Sequence, residues 1–185
     1  MQPAVFLDRD GVIIKNRSSY VLTWAEVEFY PEALHALAAI SSSLYKIVIV
    51  TNQSPVGRGI MTMSTAIDIN ERLVKTIKQH GGRIDGVFIC PHAPRERCDC
   101  RKPKPGLIHQ AAAALTLDLP RSILIGDAYS DLLAGQTAGL YQTALVLTGR
   151  GATQIRQRKP RRLKPFLTFD SLSQALAALV PSDYL

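Results

Sequence analysis

The stretch YKIVIVTNQ, residues 45–53, decides how this chain folds. Ile47, Val48, Ile49 and Val50 follow one another with no polar residue between them. A strand with one wet face alternates apolar and polar residues. An unbroken β-branched run fits a strand covered on both faces, which is the habit of parallel sheets between helices. Thr51, Asn52 and Gln53 close the run with hydrogen-bonding side chains. The strand therefore delivers polar groups at its carboxyl end.

Working outward, short apolar runs alternate with helical patterns. Strands are expected at 4–8, 45–53, 84–90, 122–127 and 143–148, with a short sixth at 166–169. Helices are expected at 31–43, 64–80, 106–117, 130–139 and 171–180. Pro31 suits the first turn of one and Ser64 the N-cap of another. Ile67, Leu73, Val74 and Ile77 should supply much of the apolar side of the 64–80 helix. Strict alternation of strand and helix predicts an α/β parallel sheet with helices on both faces. Residues 1–185 read as a single domain, without a repeat or a dividing linker. The long non-helical stretch 9–30 is unusual in a compact domain, and such loops are often functional.

Composition narrows the function. Hydrophobic residues are 46% of the chain, an ordinary globular value. No apolar run approaches the ~20 residues of a membrane span. The opening MQPAVFLDRDG lacks the pattern of a signal peptide, so cytoplasm is the expected compartment. The net charge is +7. Arg150, Arg156, Arg158, Lys159, Arg161, Arg162 and Lys164 account for all of it, with no acid among them. The basicity is thus one local segment. It reads first as a solvated loop, and second as an attractor of anions or nucleic acid.

In α/β sheets ligands gather beyond the carboxyl ends of the strands. Asp8, Thr51, Cys90 and Asp127 all stand at or just after expected strand ends. FLDRDG (6–11) places Asp8 and Asp10 two apart, a spacing that turns both to one side of an extended segment. With Asp127 they offer three oxygen donors, a natural Mg²⁺ site. Thr51, Asn52, Gln53 and Ser54 suit phosphate oxygens, Lys102 adds a point charge and Arg101 a planar fork. Together these are the parts for phosphoryl transfer through an aspartyl-phosphate. Each has a bland counterpart: a turn, a helix cap, a surface Lys-Pro run.

CPHAPRERCDCRKPKPG (90–106) holds every cysteine of the chain. Cys90, His92, Cys98 and Cys100 match a tetrahedral Cys₃His zinc site, closed and therefore structural. Reduced, unliganded thiols are the rival reading; a disulfide would leave one cysteine and the histidine unexplained. A zinc-clamped loop would fix the backbone from which Arg101 and Lys102 reach a phosphate.

DRDG, TNQS, RKPKPG and GDAYSD, in this order, resemble the four motifs of the haloacid dehalogenase superfamily of phosphatases. The resemblance runs from residue 4 to about 148. It implies a Rossmann-like sheet with no large cap domain, and an Mg²⁺-dependent phosphomonoesterase acting on a small phosphorylated sugar, a heptose bisphosphate. It implies that Asp8 is the nucleophile and Asp10 the acid and base. Asp8, the main-chain carbonyl of Asp10, and Asp127 would hold Mg²⁺. Thr51 and Lys102 would stabilise the phosphoryl group, Asn52, Gln53 and Ser54 would cradle phosphate, and Arg101 would recognise substrate. Arg17, Ser18, Ser19 and Tyr20 match a segment that contacts the sugar phosphate, although Arg-Ser-Ser-Tyr departs from the usual Asp-x-Gly-Tyr. Ala128 stands where some members carry lysine, and Pro55 where glycine is common. A histidinol-phosphate phosphatase, a nucleic-acid 3′-phosphatase and an inactive zinc-stapled binding module are the rivals. A monomer without membrane or nucleic-acid partner is expected.

Overall fold

The computed structural model of the chain describes residues 1–180. Its strands are β1 (Ala4–Leu7), β2 (Lys46–Asn52), β3 (Gly86–Cys90), β4 (Ile123–Gly126), β5 (Gln142–Val146) and β6 (Leu167–Phe169). Its helices are α1 (Pro31–Ala39), α2 (Ser54–Gly57), α3 (Met63–Gln79), α4 (Gly106–Leu115), α5 (Tyr129–Thr137), α6 (Gly151–Gln154) and α7 (Leu172–Leu179). The six strands form one sheet, all pairs parallel, in the order β3-β2-β1-β4-β5-β6. That order reverses direction between β1 and β4, the place where a doubly wound sheet opens a crevice.

The side-chain alternation of the strands splits the interior into two cores. Val5, Leu7, Ile47, Ile49, Ile123, Ile125, Ala144 and Val146 share one with α1, α3 and α7. Ala4, Phe6, Val48, Val50, Leu124 and Leu145 share the other with α4 and α5. Every one of these strand residues is buried. At ~25 cal/mol per Å² of apolar surface, burial on both faces is the main force holding the sheet together. A small third cluster of Met61, Ala66 and Ile69 packs against Leu22, Val27 and Val56, pinning the 20–27 loop to α3.

The expected elements are all present, with two one-turn helices added, α2 and α6. The N-cap of α3 is Thr62 rather than Ser64: its hydroxyl accepts from the Thr65 backbone N–H at 3.1 Å. This start points Ile67 to solvent, 41% exposed, while Ala66, Ile69, Leu73 and Ile77 face inward. The 9–30 stretch is anchored by a buried Val12-Ile13-Ile14 segment. Ile14 bridges to Phe29, and the Tyr30 N–H donates to the Ile13 carbonyl at 3.1 Å. Its polar tip, Arg17 to Tyr20, is thereby carried over the ends of the strands. Among the described residues, no helix is long and apolar enough to cross a membrane.

Candidate active site

A cavity of about 740 Å³ opens beyond the carboxyl ends of β1 and β2. Its walls include Asp8, Asp10, Gln53, Ser54, Lys102 and Arg150, with Arg17, Ser18, Ser19 and Tyr20 opposite. Asp8 follows β1 directly, and its backbone N–H donates to the Ile125 carbonyl at 3.1 Å. The first residue past β1 is thus still tied to β4.

Lys102 is the hub of the floor. It is 3% exposed, and its ammonium has three oxygen neighbours. Its Nζ lies 2.8 Å from Asp8 Oδ1, 2.8 Å from Asp131 Oδ1 and 2.8 Å from the Val50 carbonyl. Burial alone would pull this ammonium down, but Asp131 and Asp8 outweigh it and hold it above the usual lysine range. For Asp8 the balance runs the other way. Burial pushes its carboxyl up to about 6, against the opposing pull of Lys102. A second cation would restore the ionised form.

Asp8, Asp127 and Asp131 bring carboxylate oxygens within 4.8 Å of one another, all buried. Three hard oxygen donors in one buried cluster suit Mg²⁺. Asp131 belongs to this cluster and was not anticipated; the Asp10 side chain does not join it. The chain turns as soon as β1 ends: the Gly11 N–H donates to the Ile14 carbonyl at 2.7 Å. Strand alternation therefore no longer governs where Asp10 points. Its carboxylate receives the Arg9 guanidinium on both oxygens, at 3.0 Å each, and Gln53 Nε2 at 3.2 Å. Arg9 is 1% exposed and is itself held by Asn70 of α3 at 3.1 Å. Gly11 and Gly149 make the close approach around Asp127 possible, since a Cβ at either would collide with its carboxylate.

Thr51 and Asn52 sit differently from a simple phosphate cradle. Thr51 is buried beneath the cavity, and its hydroxyl accepts from Gln53 Nε2 at 2.8 Å. Asn52 grips the backbone of Lys102, accepting from its N–H and donating to its carbonyl, both at 3.2 Å. Ser54 takes Arg101 Nη1 at 2.6 Å. Arg17 is braced on the Glu26 carbonyl through Nε and Nη2, at 2.9 and 2.7 Å.

The Arg150 guanidinium clamps Asp127, with Nη2 at 2.8 Å from Oδ1 and Nε at 3.2 Å from Oδ2. Sequence reading placed Arg150 only as the first member of a basic run.

Beside this floor lies the cysteine loop. The Cys90, His92, Cys98 and Cys100 donor atoms stand 3.3–3.6 Å apart along four of their six edges. A zinc ion with bonds of ~2.0–2.3 Å demands tetrahedron edges of ~3.5–3.8 Å. The donor set therefore fits zinc, with His92 facing it through Nδ1. Burial pushes the Cys90 thiol up, whereas the Arg101 N–H helps hold Cys98 low despite its own desolvation. The loop is tied to the phosphate side as well. Arg101 Nη1 donates to the His92 carbonyl at 3.2 Å, and the Gln53 N–H to the Cys90 carbonyl at 2.7 Å.

With this geometry in place, the comparisons are specific. The heptose bisphosphate phosphatase of Vibrio cholerae serotype O1, D-glycero-beta-D-manno-heptose-1,7-bisphosphate 7-phosphatase, is 36% identical over 160 residues. The match covers 83% of this chain and 86% of that protein. The chain belongs to the D-glycero-β-D-manno-heptose-1,7-bisphosphate 7-phosphatase family. The same-named protein of Helicobacter pylori strain J99 is 41% identical over 144 residues, covering 77% of this chain and 82% of that one. The HAD-hydrolase-like family matches residues 99–175. The crystal structure of D,D-heptose 1,7-bisphosphate phosphatase from B. bronchiseptica, complexed with magnesium and phosphate, superposes with a TM-score of 0.88. It is 31% identical and covers 96% of this chain and 97% of that one. Asp8, Thr51 and Asp127 stand at or just after the ends of β1, β2 and β4, while RKPKPG lies in the loop leading into α4.

Proposed function

We propose that the chain is an Mg²⁺-dependent phosphatase that removes the 7-phosphate of D-glycero-D-manno-heptose 1,7-bisphosphate through an aspartyl-phosphate on Asp8. One observation carries the reading: Asp8 opens on the cavity while its buried side meets Lys102 and the carboxylates of a divalent-cation site. The likeness to the Vibrio and Helicobacter phosphatases supports the choice of substrate.

In this reading an Asp8 carboxylate oxygen attacks the phosphorus of the 7-phosphate. The bond from phosphorus to the sugar oxygen breaks, and Asp10 delivers a proton to that leaving oxygen. Water then attacks the phosphorus of the acyl phosphate, Asp10 takes its proton, and inorganic phosphate leaves with Asp8 restored. Arg9 and Gln53 orient Asp10 for both transfers. Lys102 steadies the charge on Asp8 and on the phosphoryl group bonded to it. Asp8, the carbonyl of Asp10, and Asp127 would hold Mg²⁺, with Asp131 behind them; when bound, the ion neutralises charge on the phosphoryl oxygens. Thr51 acts from below through Gln53. Asn52 holds Lys102 in place, Ser54 and Arg101 face the phosphate, and Ser18, Ser19 and Tyr20 face the sugar from a loop that Arg17 braces. Zinc on Cys90, His92, Cys98 and Cys100 is structural.

One continuous six-stranded sheet supports a single-domain enzyme, for which a monomer is the simplest working state. The three unpaired cysteines suit a reducing compartment, the cytoplasm. The reading requires neither membrane nor nucleic acid. Phosphate release should be followed over heptose 1,7-bisphosphate, histidinol phosphate and a 3′-phosphorylated oligonucleotide. The sugar bisphosphate is expected to be turned over with the highest kcat/KM; faster release from either rival would reassign the substrate.

A further inference from the structure

Asp127 is 0% exposed, and Arg150 supplies three of the four donors to its carboxylate. Oδ2 accepts from Asn16 Nδ2 at 3.2 Å, from the Arg150 backbone N–H at 2.9 Å and from Arg150 Nε at 3.2 Å. Oδ1 accepts from Arg150 Nη2 at 2.8 Å. A guanidinium held on both oxygens of a carboxylate competes with a metal ion for them.

The donors are not equally free to go. The Arg150 backbone N–H is fixed by its turn: the Gly149 N–H donates to the Tyr30 hydroxyl at 2.9 Å, and the Thr148 hydroxyl donates to the Gly11 carbonyl at 2.6 Å. The Arg150 guanidinium is different. Its side chain is 56% exposed and lines the cavity. Lys102 offers the contrast, 2% exposed with all three of its partners inside the floor. One cation is built in, and the other can move.

Its destination is set by charge. The guanidinium already lies 3.9 Å from Asp8 Oδ2, the oxygen farther from Lys102. A phosphoryl group bonding to Asp8 would stand within its reach, and an arginine fork matches two phosphate oxygens as well as it matches a carboxylate. We propose that Arg150 is an exchangeable counter-ion: it occupies Asp127 in the metal-free enzyme and passes to the substrate phosphoryl group when Mg²⁺ takes its place. Metal and phosphate binding are then coupled through one side chain, each favouring the other. This rests on the functional reading above, and the test separates the two.

The experiment is calorimetric titration of Mg²⁺ into the zinc-loaded, Mg²⁺-free full chain, with and without orthovanadate as the phosphate probe. Arg150→Ala should bind Mg²⁺ ~10-fold more tightly than the unaltered protein, since its competitor is gone. Arg150→Lys should fall between, because a single point charge cannot cover both oxygens. Arg156→Ala, a charge removed from the exposed segment, should match the unaltered protein. Orthovanadate should tighten Mg²⁺ binding by a larger factor in the unaltered protein than in Arg150→Ala, and Arg150→Ala should show a raised KM for the sugar phosphate. If Arg150→Ala binds Mg²⁺ no more tightly, or if the effect of orthovanadate is equal in both, the exchange is wrong. If Asp127→Asn binds Mg²⁺ as well as the unaltered protein, the metal assignment itself fails, and the functional reading fails with it.

Discussion

The cavity floor and the cysteine loop solve the same problem, holding charged groups in place, by different means. The floor is assembled from the ends of β1, β2 and β4 together with α5 and the Lys102 loop, and almost nothing in it is exposed. Its groups are fixed by a sheet whose two cores bury the central strands β1, β2, β4 and β5. The loop 90–104 touches the second core through Cys90, Cys98 and Cys100, and its four donor atoms converge within eleven residues. Where the sheet positions side chains, packing is sufficient; in the cysteine loop a zinc ion would add to it. Arg101 and Lys102 lie at the junction, anchored by the loop and reaching into the floor.

The sharpest break of this comparison lies in the floor. Asp8→Asn should lower turnover on the order of 10⁴-fold or more, because an amide cannot accept the phosphoryl group. It should leave the metal-free protein at least as stable at neutral pH. The sign follows from burial. The folded-state value of about 6 lies above the ordinary 3.8, so the ionised carboxylate costs stability, increasingly as pH rises through that window. Kinetics and melting curves at pH 7 check both halves.

Lys102→Ala should fail differently. Loss of a point charge toward the phosphoryl group would by itself lower turnover alone. In the structure Lys102 neutralises two buried carboxylates, and removing one partner of a buried pair typically costs ~3–5 kcal/mol. Turnover and melting temperature should fall together while zinc content stays at one per chain. Unchanged melting would show that the floor does not depend on its cation.

A smaller effect concerns protons. With Asp8 raised to about 6, Mg²⁺ must displace a proton below that pH. Apparent Mg²⁺ affinity should be flat above about pH 7 and fall ~10-fold per unit below the Asp8 value, with about one proton released per ion. Titration calorimetry in buffers of different ionisation enthalpy measures that release. Affinity independent of pH between 4.5 and 7 would remove Asp8 from the metal site.

The two regions also differ in how far they could be read in the sequence. All four cysteine-loop ligands stand close together, and residue type with spacing was enough. Asp8 and Asp127 were legible because an apolar run ended at each. Asp131, Arg9, Asn70 and Arg150 were not, because each finds its partner across the fold. Asp131 looks like an ordinary polar residue in the first turn of α5, and Arg150 like the first charge of a solvated run. Asn70 left one trace: it is polar, yet shares the inward stripe of α3 with Ala66, Leu73 and Ile77. A polar residue on an apolar helical face needs a buried partner, and that partner is Arg9.

The central claim is that the zinc loop serves the floor. It is tested most directly by adding zinc back to zinc-depleted protein while Mg²⁺ is held constant and saturating. Turnover of the sugar bisphosphate should rise in proportion to bound zinc and level off at one ion per chain, because the loop then returns Arg101 and Lys102 to the cavity. Full turnover by the zinc-free protein would contradict the claim, and would mean that packing alone holds both cations.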